Sequence, residues 1–151
     1  PAATHELRLR TTINAPVAEV FAFFSKVATL GLLTPASMRF TIVGRVPPMA
    51  PGAILIYRVR IAGIPVRWRT RVVSWDPARS FDDVQDAGPF RLWWHQHTFA
   101  EEGGRTVMED RVCYAPPIRW LERPINALVV APILRAVFQY RADIIRLRFG
   151  A

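Results

Sequence analysis

Two histidines stand close together in the segment FRLWWHQHTF, residues 90–99, and the chain has only three histidines in all. His95 and His97 are two residues apart, so on a β-strand both imidazoles would point to the same face of the sheet. An imidazole can bind a metal ion, transfer a proton near neutral pH, or form hydrogen bonds inside a pocket. Which of these it does depends on the elements that position it.

The length and composition indicate one folded domain that spans residues 1–151. The hydrophobic fraction of 51%, with nine Phe, five Trp and three Tyr, excludes a disordered chain. The one cysteine, Cys113, cannot form an internal disulfide. The opening PAATHELRLR lacks the apolar core of a secretory signal, and the apolar run 127–134 is far shorter than a membrane-spanning helix. We therefore expect a cytoplasmic protein.

The chain is strongly basic, with a formal net charge of +8 and a sequence pI near 11.1. All but one of its 20 basic residues are arginine, the exception being Lys26, and this bias is typical of a GC-rich coding genome. A basic surface still favours anionic partners such as phospholipid headgroups or nucleic acid.

The hydrophobic periodicity changes along the chain from that of a strand to that of a helix and back. Residues 4–13 alternate as a strand, and NAPVAEVFAFF then predicts a helix with Asn14 as its cap and Pro16 in its first turn. A second short helix is expected before Pro35. Six strand-like segments follow between turn residues: MRFTIV, AILIYRVRIAG, IPVRWRTRVVSW, SFDDVQD, FRLWWHQHTFAEE and RTVMEDRVCY.

The C-terminal segment is again helical, with a predicted apolar stripe opposite a polar one. The apolar stripe consists of Ile133, Val137, Tyr140, Ile144 and Leu147. The predicted fold class is therefore α+β: a curved antiparallel sheet of about seven strands wrapped around a long C-terminal helix, with two short helices after the first strand.

Two short turns predict the register of the strands on either side of them. If Ala62-Gly63 is a two-residue loop, Tyr57 lies opposite Trp68, and the arginines of both strands face outward.

A second such turn at Gly103-Gly104 places His97 opposite Asp110 and His95 opposite Val112. Large aromatic and polar side chains would then face the helix together, and so many inward polar groups favour a cavity filled by water or a ligand. The predicted cavity-lining residues are Tyr57, Trp68, Thr70, Asp83, Gln85, Trp93, His95, His97, Phe99, Met108, Asp110, Tyr114 and Phe138.

The segments INAPVAEVFAFFS, WRTRVVSWDP, SFDDVQDAGPF, WWHQHTF, TVMEDRVCY and FQYRADIIRLRF together resemble the START/polyketide cyclase-like superfamily, also called SRPBCC. They span almost the whole chain in that superfamily's order. The resemblance implies the helix-grip fold of the birch-pollen-allergen type. It also implies a cavity for a lipid, polyketide, sterol or quinone-like molecule, but no particular catalytic residues, because the superfamily mixes carriers, sensors and enzymes.

The sequence favours a protein that binds a hydrophobic small molecule, with His97 held by Asp110 at the wall of the cavity. The alternative is a cyclase or dehydratase in which His97 and Asp110 form an acid/base pair. A metal site of His95, His97 and Asp110 is a third hypothesis. The third histidine of a cupin-type set does not follow, so we expect no metal and no cofactor.

The partners expected from the sequence are few. Aromatic side chains point inward in the predicted register, so we expect no nucleic-acid binding. Residues 118–134 mix basic, aromatic and apolar residues, which leaves open a transient membrane contact as well as simple packing in the C-terminal helix. The oligomeric state is left open between monomer and homodimer.

Overall fold

The computed structural model describes residues 2–150 and has the element order that the sequence predicts. The elements are β1 (His5–Ile13), α1 (Val17–Phe24), α2 (Val27–Leu32), a 3-10 turn (Ala36–Met38), β2 (Thr41–Ile42), β3 (Ile54–Ile61), β4 (Ile64–Asp76), β5 (Ser80–Ala87), β6 (Leu92–Glu102), β7 (Arg105–Ala115), a second 3-10 turn (Arg119–Leu121), α3 (Glu122–Ile125), a π-helical turn (Asn126–Val130) and α4 (Ala131–Phe149).

The seven strands form one antiparallel sheet in the order β1-β7-β6-β5-β4-β3-β2. The pairing of β4 with β5 shifts register between Arg69 and Thr70 and again between Val72 and Ser74. Such irregularities bend a strand and increase its twist. The sheet thus curves around α4, and the predicted helix-grip α+β fold is confirmed.

The two predicted hairpin registers are also confirmed. Tyr57 pairs with Trp68 across the turn at Ala62 and Gly63, whose φ angles of 51° and 77° are both positive, as a two-residue hairpin turn of this kind requires. His97 pairs with Asp110 across the second turn. The turns therefore determine which side chains of β3, β4, β6 and β7 face α4.

Two apolar clusters hold the sheet against the helices. The first lies under α1 and the end of α4 and consists mainly of Ile13, Val20, Phe21, Phe24, Phe81, Phe99, Met108 and Ile145. The second lies under the start of α4 and consists of Val112, Tyr114, Val130, Leu134 and Phe138. The candidate site described below lies between these two clusters.

The start of α1 differs from the prediction. Pro16, not Asn14, occupies the N-cap position, and no side chain of the cap bonds the helix. Instead the backbone N–H of Val17 donates to Glu101 Oε1 of β6 at 3.3 Å. Because this acceptor comes from a distant strand, the local sequence could not indicate it.

The buried face of α4 is also rotated from the predicted one. The fully buried residues are Leu134, Phe138, Arg141, Ala142 and Ile145, whereas Leu147 of the predicted stripe is 83% exposed. The predicted buried stripe is displaced by about one residue along the helix, because the prediction assumed that no charged residue faces inward. Arg141 is in fact buried, with 7% of its surface exposed.

Candidate functional site

A cavity of about 220 Å³ lies between the inner face of the sheet and the helices. Its walls come from α2, from β3 to β6 and from α4, which brings together residues far apart in the sequence. Most of the lining is apolar, including Leu30, Leu33, Phe40, Leu55, Val59, Trp68, Phe90, Trp93, Ile133, Leu134, Val137 and Phe138.

Three polar lining residues converge on β5 and β6: Asp83, His95 and His97. The two imidazole rings lie 3.8 Å apart between centroids. His97 Nε2 lies 3.3 Å from Asp83 Oδ2, and on its other side the ring stacks on Phe81 at 4.1 Å. Both histidines are buried.

Asp110 lies behind the histidines on β7 and connects them to α4. Its Oδ1 accepts a hydrogen bond from His95 Nε2 at 2.8 Å. The same oxygen lies 3.1 Å from His97 Nδ1, but the angle of this contact is not that of a hydrogen bond. It also lies 3.6 Å from a terminal nitrogen of Arg141. The predicted pair of His97 and Asp110 is therefore part of a cluster of four residues, with His95 and Arg141. Within it, His95 forms the hydrogen bond to Asp110.

The environment shifts the pKa values of three members of this cluster. Burial by itself raises the pKa of Asp110, but the charge of Arg141 and the contacts with both imidazoles hold that pKa well below its usual range. Burial lowers the pKa of His95, and the neighbouring His97 lowers it further. Burial also acts to lower the pKa of His97, but its contacts with Asp110 and Asp83 outweigh burial, so the pKa is raised. The two imidazoles thus have different surroundings, because Asp83 contacts only His97.

Eight of the thirteen residues predicted to line the cavity do so in the structure: Tyr57, Trp68, Thr70, Asp83, Trp93, His95, His97 and Phe138. Tyr57 and Thr70 form a polar spot on the wall, with their oxygens 3.4 Å apart. Trp68 stacks on Tyr57 and meets Trp93 edge to face, so these aromatic side chains form a continuous wall.

The other five predicted residues are not part of the cavity lining. Phe99 and Met108 belong to the apolar cluster under α1. Asp110 is covered by the histidines, and the hydroxyl of Tyr114 donates to Asn126 Oδ1 at 2.7 Å. Gln85 turns to the loop after β5. A side chain that points to the inner face of the sheet is expected to be buried. Its direction alone does not show whether it lines the cavity or packs in the core.

Gln85 supports the cavity indirectly. Its side-chain amide donates to the backbone oxygen of Phe90 at 2.7 Å and its Oε1 accepts from the Phe90 backbone N–H at 3.1 Å. Phe90 in turn lines the cavity.

Arg141 is one of the polar lining residues that the sequence prediction missed; the others are Lys26, Thr29 and Thr34. Its guanidinium lies over the ring of Phe138 at 5.1 Å, and its Nε is buried without a hydrogen-bond partner. The sequence did contain an indication that Arg141 faces the cavity. It follows Phe138, a predicted cavity residue, by three positions, and this spacing places both residues on one face of the helix.

The curved antiparallel sheet that grips a C-terminal helix around an apolar cavity defines the helix-grip class of α+β proteins. A START superfamily protein from Mycobacterium smegmatis is similar to this chain at 12% identity, with a TM-score of 0.74 and 97% of each chain covered. The Zhui aromatase/cyclase from a Streptomyces species is similar at 14% identity, with a TM-score of 0.70 and coverage of 93% of this chain and 90% of that one. Ginseng major latex-like protein from Panax ginseng is similar at 14% identity and a TM-score of 0.66, covering 92% and 95%.

The model of the family described as "Polyketide cyclase / dehydrase and lipid transport" matches residues 4–149, and the chain belongs to this family. No curated protein matches the sequence. Among residues 2–150, no helix combines the length and the apolar character that crossing a membrane requires.

Proposed function

We propose that the protein binds a hydrophobic small molecule, such as a lipid, polyketide, sterol or quinone-like compound, in the cavity between the sheet and α4. The observation that carries the proposal is the composition of this cavity. Its walls are largely aliphatic and aromatic, and they include a cluster of polar side chains, Asp83, His95, His97 and Arg141; small-molecule sites use this combination to bury a ligand and to orient it.

Two buried donors on the wall support this proposal. Trp68 Nε1 and Arg141 Nε have no hydrogen-bond partner among the described residues, and both side chains line the cavity. A buried N–H without an acceptor costs about 1–3 kcal/mol, so a ligand oxygen that accepts from either group would be favoured. The expected ligand is therefore apolar over most of its length, with one or more oxygen acceptors.

Native mass spectrometry of gently purified protein tests the proposal directly. We expect an organic mass bound to the folded protein that is lost on denaturation. For protein stripped of ligand, the fluorescent hydrophobic probe ANS supplies a second measurement.

A paired substitution on α4 shows whether the probe enters the cavity. Val137→Trp places a larger side chain at the cavity wall and should weaken ANS binding, whereas Leu147→Trp, on the exposed face, should not. Equal binding by the two variants would count against a cavity site.

The alternative function is that of a cyclase or dehydratase with His97 as general acid/base. His97 favours it because this side chain faces the cavity and contacts two carboxylates, Asp110 and Asp83, which fix its ring and support its charged form. Loss of this group typically costs on the order of 10²- to 10⁴-fold in rate. Product analysis with a poly-β-ketone thioester would then show turnover by the wild type and loss of turnover in His97→Gln. Binding of the thioester without turnover would support ligand binding alone as the function.

We also propose that the segment around α3 touches anionic membranes when ligand is exchanged. Trp120 and Leu128 are 83% and 77% exposed, and Arg119 and Arg123 lie beside them. Val129, also exposed, lines the cavity, so this surface adjoins the ligand. Basic and apolar side chains on one surface are typical of interfacial membrane contact.

A further inference from the structure

Asp83, His95 and His97 each offer one ligand atom, and these three atoms lie within 4.8 Å of one another. The distance of 3.3 Å between His97 Nε2 and Asp83 Oδ2 is long for a charge-assisted hydrogen bond, which is usually about 2.7–2.9 Å. It matches the separation of about 3.3–3.4 Å between two ligand atoms that each lie about 2.0–2.1 Å from a tetrahedral metal ion. This pair is thus spaced as two ligands of one ion, and the remaining ligand atom lies within 4.8 Å of both.

We propose that Asp83, His95 and His97 bind one divalent first-row transition-metal ion at the wall of the cavity. This site differs from the one that the sequence suggested, because Asp83 replaces Asp110 as the carboxylate ligand. The inference goes beyond the proposed function, since it concerns an ion held by the protein and not the hydrophobic ligand.

Asp110 supplies the support that metal-binding histidines require. His95 Nε2 donates to Asp110 Oδ1, which leaves Nδ1 of that ring as the metal-binding nitrogen. His97 Nδ1 faces the same carboxylate oxygen, which leaves its Nε2 directed at Asp83. A carboxylate behind each imidazole fixes the tautomer and strengthens the ligand. Asp110 does this for His95 through a hydrogen bond, and the same carboxylate oxygen lies 3.1 Å from His97 Nδ1.

The formal charges in the cluster favour a cation. Asp110 contacts Arg141, whereas Asp83 contacts no arginine or lysine among the described residues, only His97. Metal binding requires both imidazoles to be neutral, and in that state the two carboxylates and one guanidinium leave one negative charge in a largely buried place. A bound cation compensates it, and buried charges are usually paired in this way or bound to metals.

The ligand types limit the choice of metal. Two imidazoles and one carboxylate suit zinc, iron(II) or cobalt(II) better than magnesium or calcium, which prefer oxygen ligands. All three residues also line the cavity, so an ion there would keep at least one coordination position open toward it. Three protein ligands with an open position are typical of metal sites that act on a bound molecule rather than of closed structural sites.

The test is a titration of untagged, EDTA-treated protein with cobalt(II), followed by its visible absorption, and with zinc, followed by elemental analysis after gel filtration. We expect one ion per chain. Asp83→Asn should weaken binding by at least about tenfold, while its side chain keeps nearly the same shape. Asp82→Asn is the matched control: Asp82 is the adjacent residue on the opposite face of β5, where it accepts from Trp94 Nε1, and we expect unchanged affinity.

Two outcomes would overturn the proposal: no binding by the wild type, or equal affinity in the wild type and Asp83→Asn. Equal affinity would assign the ion to other groups, such as His5 near the start of the chain. Circular dichroism of each variant separates lost binding from lost folding. ANS binding to the same EDTA-treated protein tests the proposed ligand-binding function independently, so the failure of one proposal is distinguishable from the failure of the other.

Discussion

Asp110 is the residue on which the buried polar cluster depends, because His95, His97 and Arg141 all contact its Oδ1. A carboxylate in this position is costly to bury and stays ionised only through these neighbours. The strand register indicated one of them, His97, because paired residues of two strands are separated by a known distance. It could not indicate Arg141, whose place depends on how α4 is rotated against the sheet.

Arg141→Met should destabilise the protein by about 3–5 kcal/mol, because Asp110 would keep its buried charge without its cation. Urea denaturation measures the loss. Arg146→Met, which removes the exposed pair with Asp143 on the same helix, should cost at most about 1 kcal/mol. The double variant Arg141→Met/Asp110→Leu should recover much of the lost stability. A double variant as unstable as Arg141→Met alone would show that Asp110 is not the cause.

The contribution of Asp110 to stability should also depend on pH in a defined direction. Its pKa is lower in the folded protein than in the unfolded chain, so the stabilisation is present above the unfolded value of about 3.9 and is lost as the pH falls below it. In EDTA-treated protein, the difference in unfolding free energy between wild type and Asp110→Asn should therefore shrink as the pH falls from about 4 to about 2, below the range in which an unfolded histidine titrates. A difference that stays constant over this range would contradict the depressed pKa.

At the scale of elements, the hairpins were predictable and the helix rotation was not. A two-residue turn sets the pairing of every residue in the two strands that it joins, so the turns at Ala62-Gly63 and Gly103-Gly104 determined two registers. On α4, apolar residues extend over more than one face. Ile133, Leu134, Val137 and Phe138 all line the cavity, but Ile133 and Val137 of the predicted stripe are only half-buried, while Leu134 and Phe138 are buried and also pack in the second apolar cluster.

The loop between β5 and β6 shows how an element can position the cavity wall without being part of it. Gly88 has no room for a side chain, since a Cβ there would lie 2.6 Å from Gln85 Oε1. The same Gln85 amide holds the backbone of Phe90 through two hydrogen bonds. A larger residue at position 88 would therefore have to displace the Gln85 amide that holds the loop.

Gly88→Ala should displace Gln85, break both hydrogen bonds to Phe90, and destabilise the protein by about 1–3 kcal/mol. It should also weaken ANS binding, because Phe90 would no longer be held at the cavity wall. A double-mutant cycle with Gln85→Ala checks the cause: the two effects should not add, since the second substitution removes the group with which the first one clashes. Additive losses would mean that the alanine acts in some other way.

At the scale of the whole molecule, charge and exposed apolar surface are distributed unequally. The outward face of β3 and β4 carries a row of arginines, with Arg58 directly opposite Arg67, and like charges so placed repel each other. The segment around α3 instead carries exposed apolar side chains beside the cavity-lining residue Val129, with Trp120 and Leu128 the most exposed of them. Composition predicted the basic surface, but only the folded chain shows that this apolar surface adjoins the cavity.

Leu128→Ser should therefore weaken binding to vesicles that contain anionic phospholipid, because it removes an apolar side chain from the surface that adjoins the cavity. Leu147→Ser is the matched control, since Leu147 is similarly exposed, at 83% against 77% for Leu128, but lies near the C-terminal end of α4. Co-sedimentation at low salt measures both. Attraction that comes from arginine alone would fall with salt and would affect the two variants equally, whereas apolar contact through Leu128 should separate them at every salt concentration.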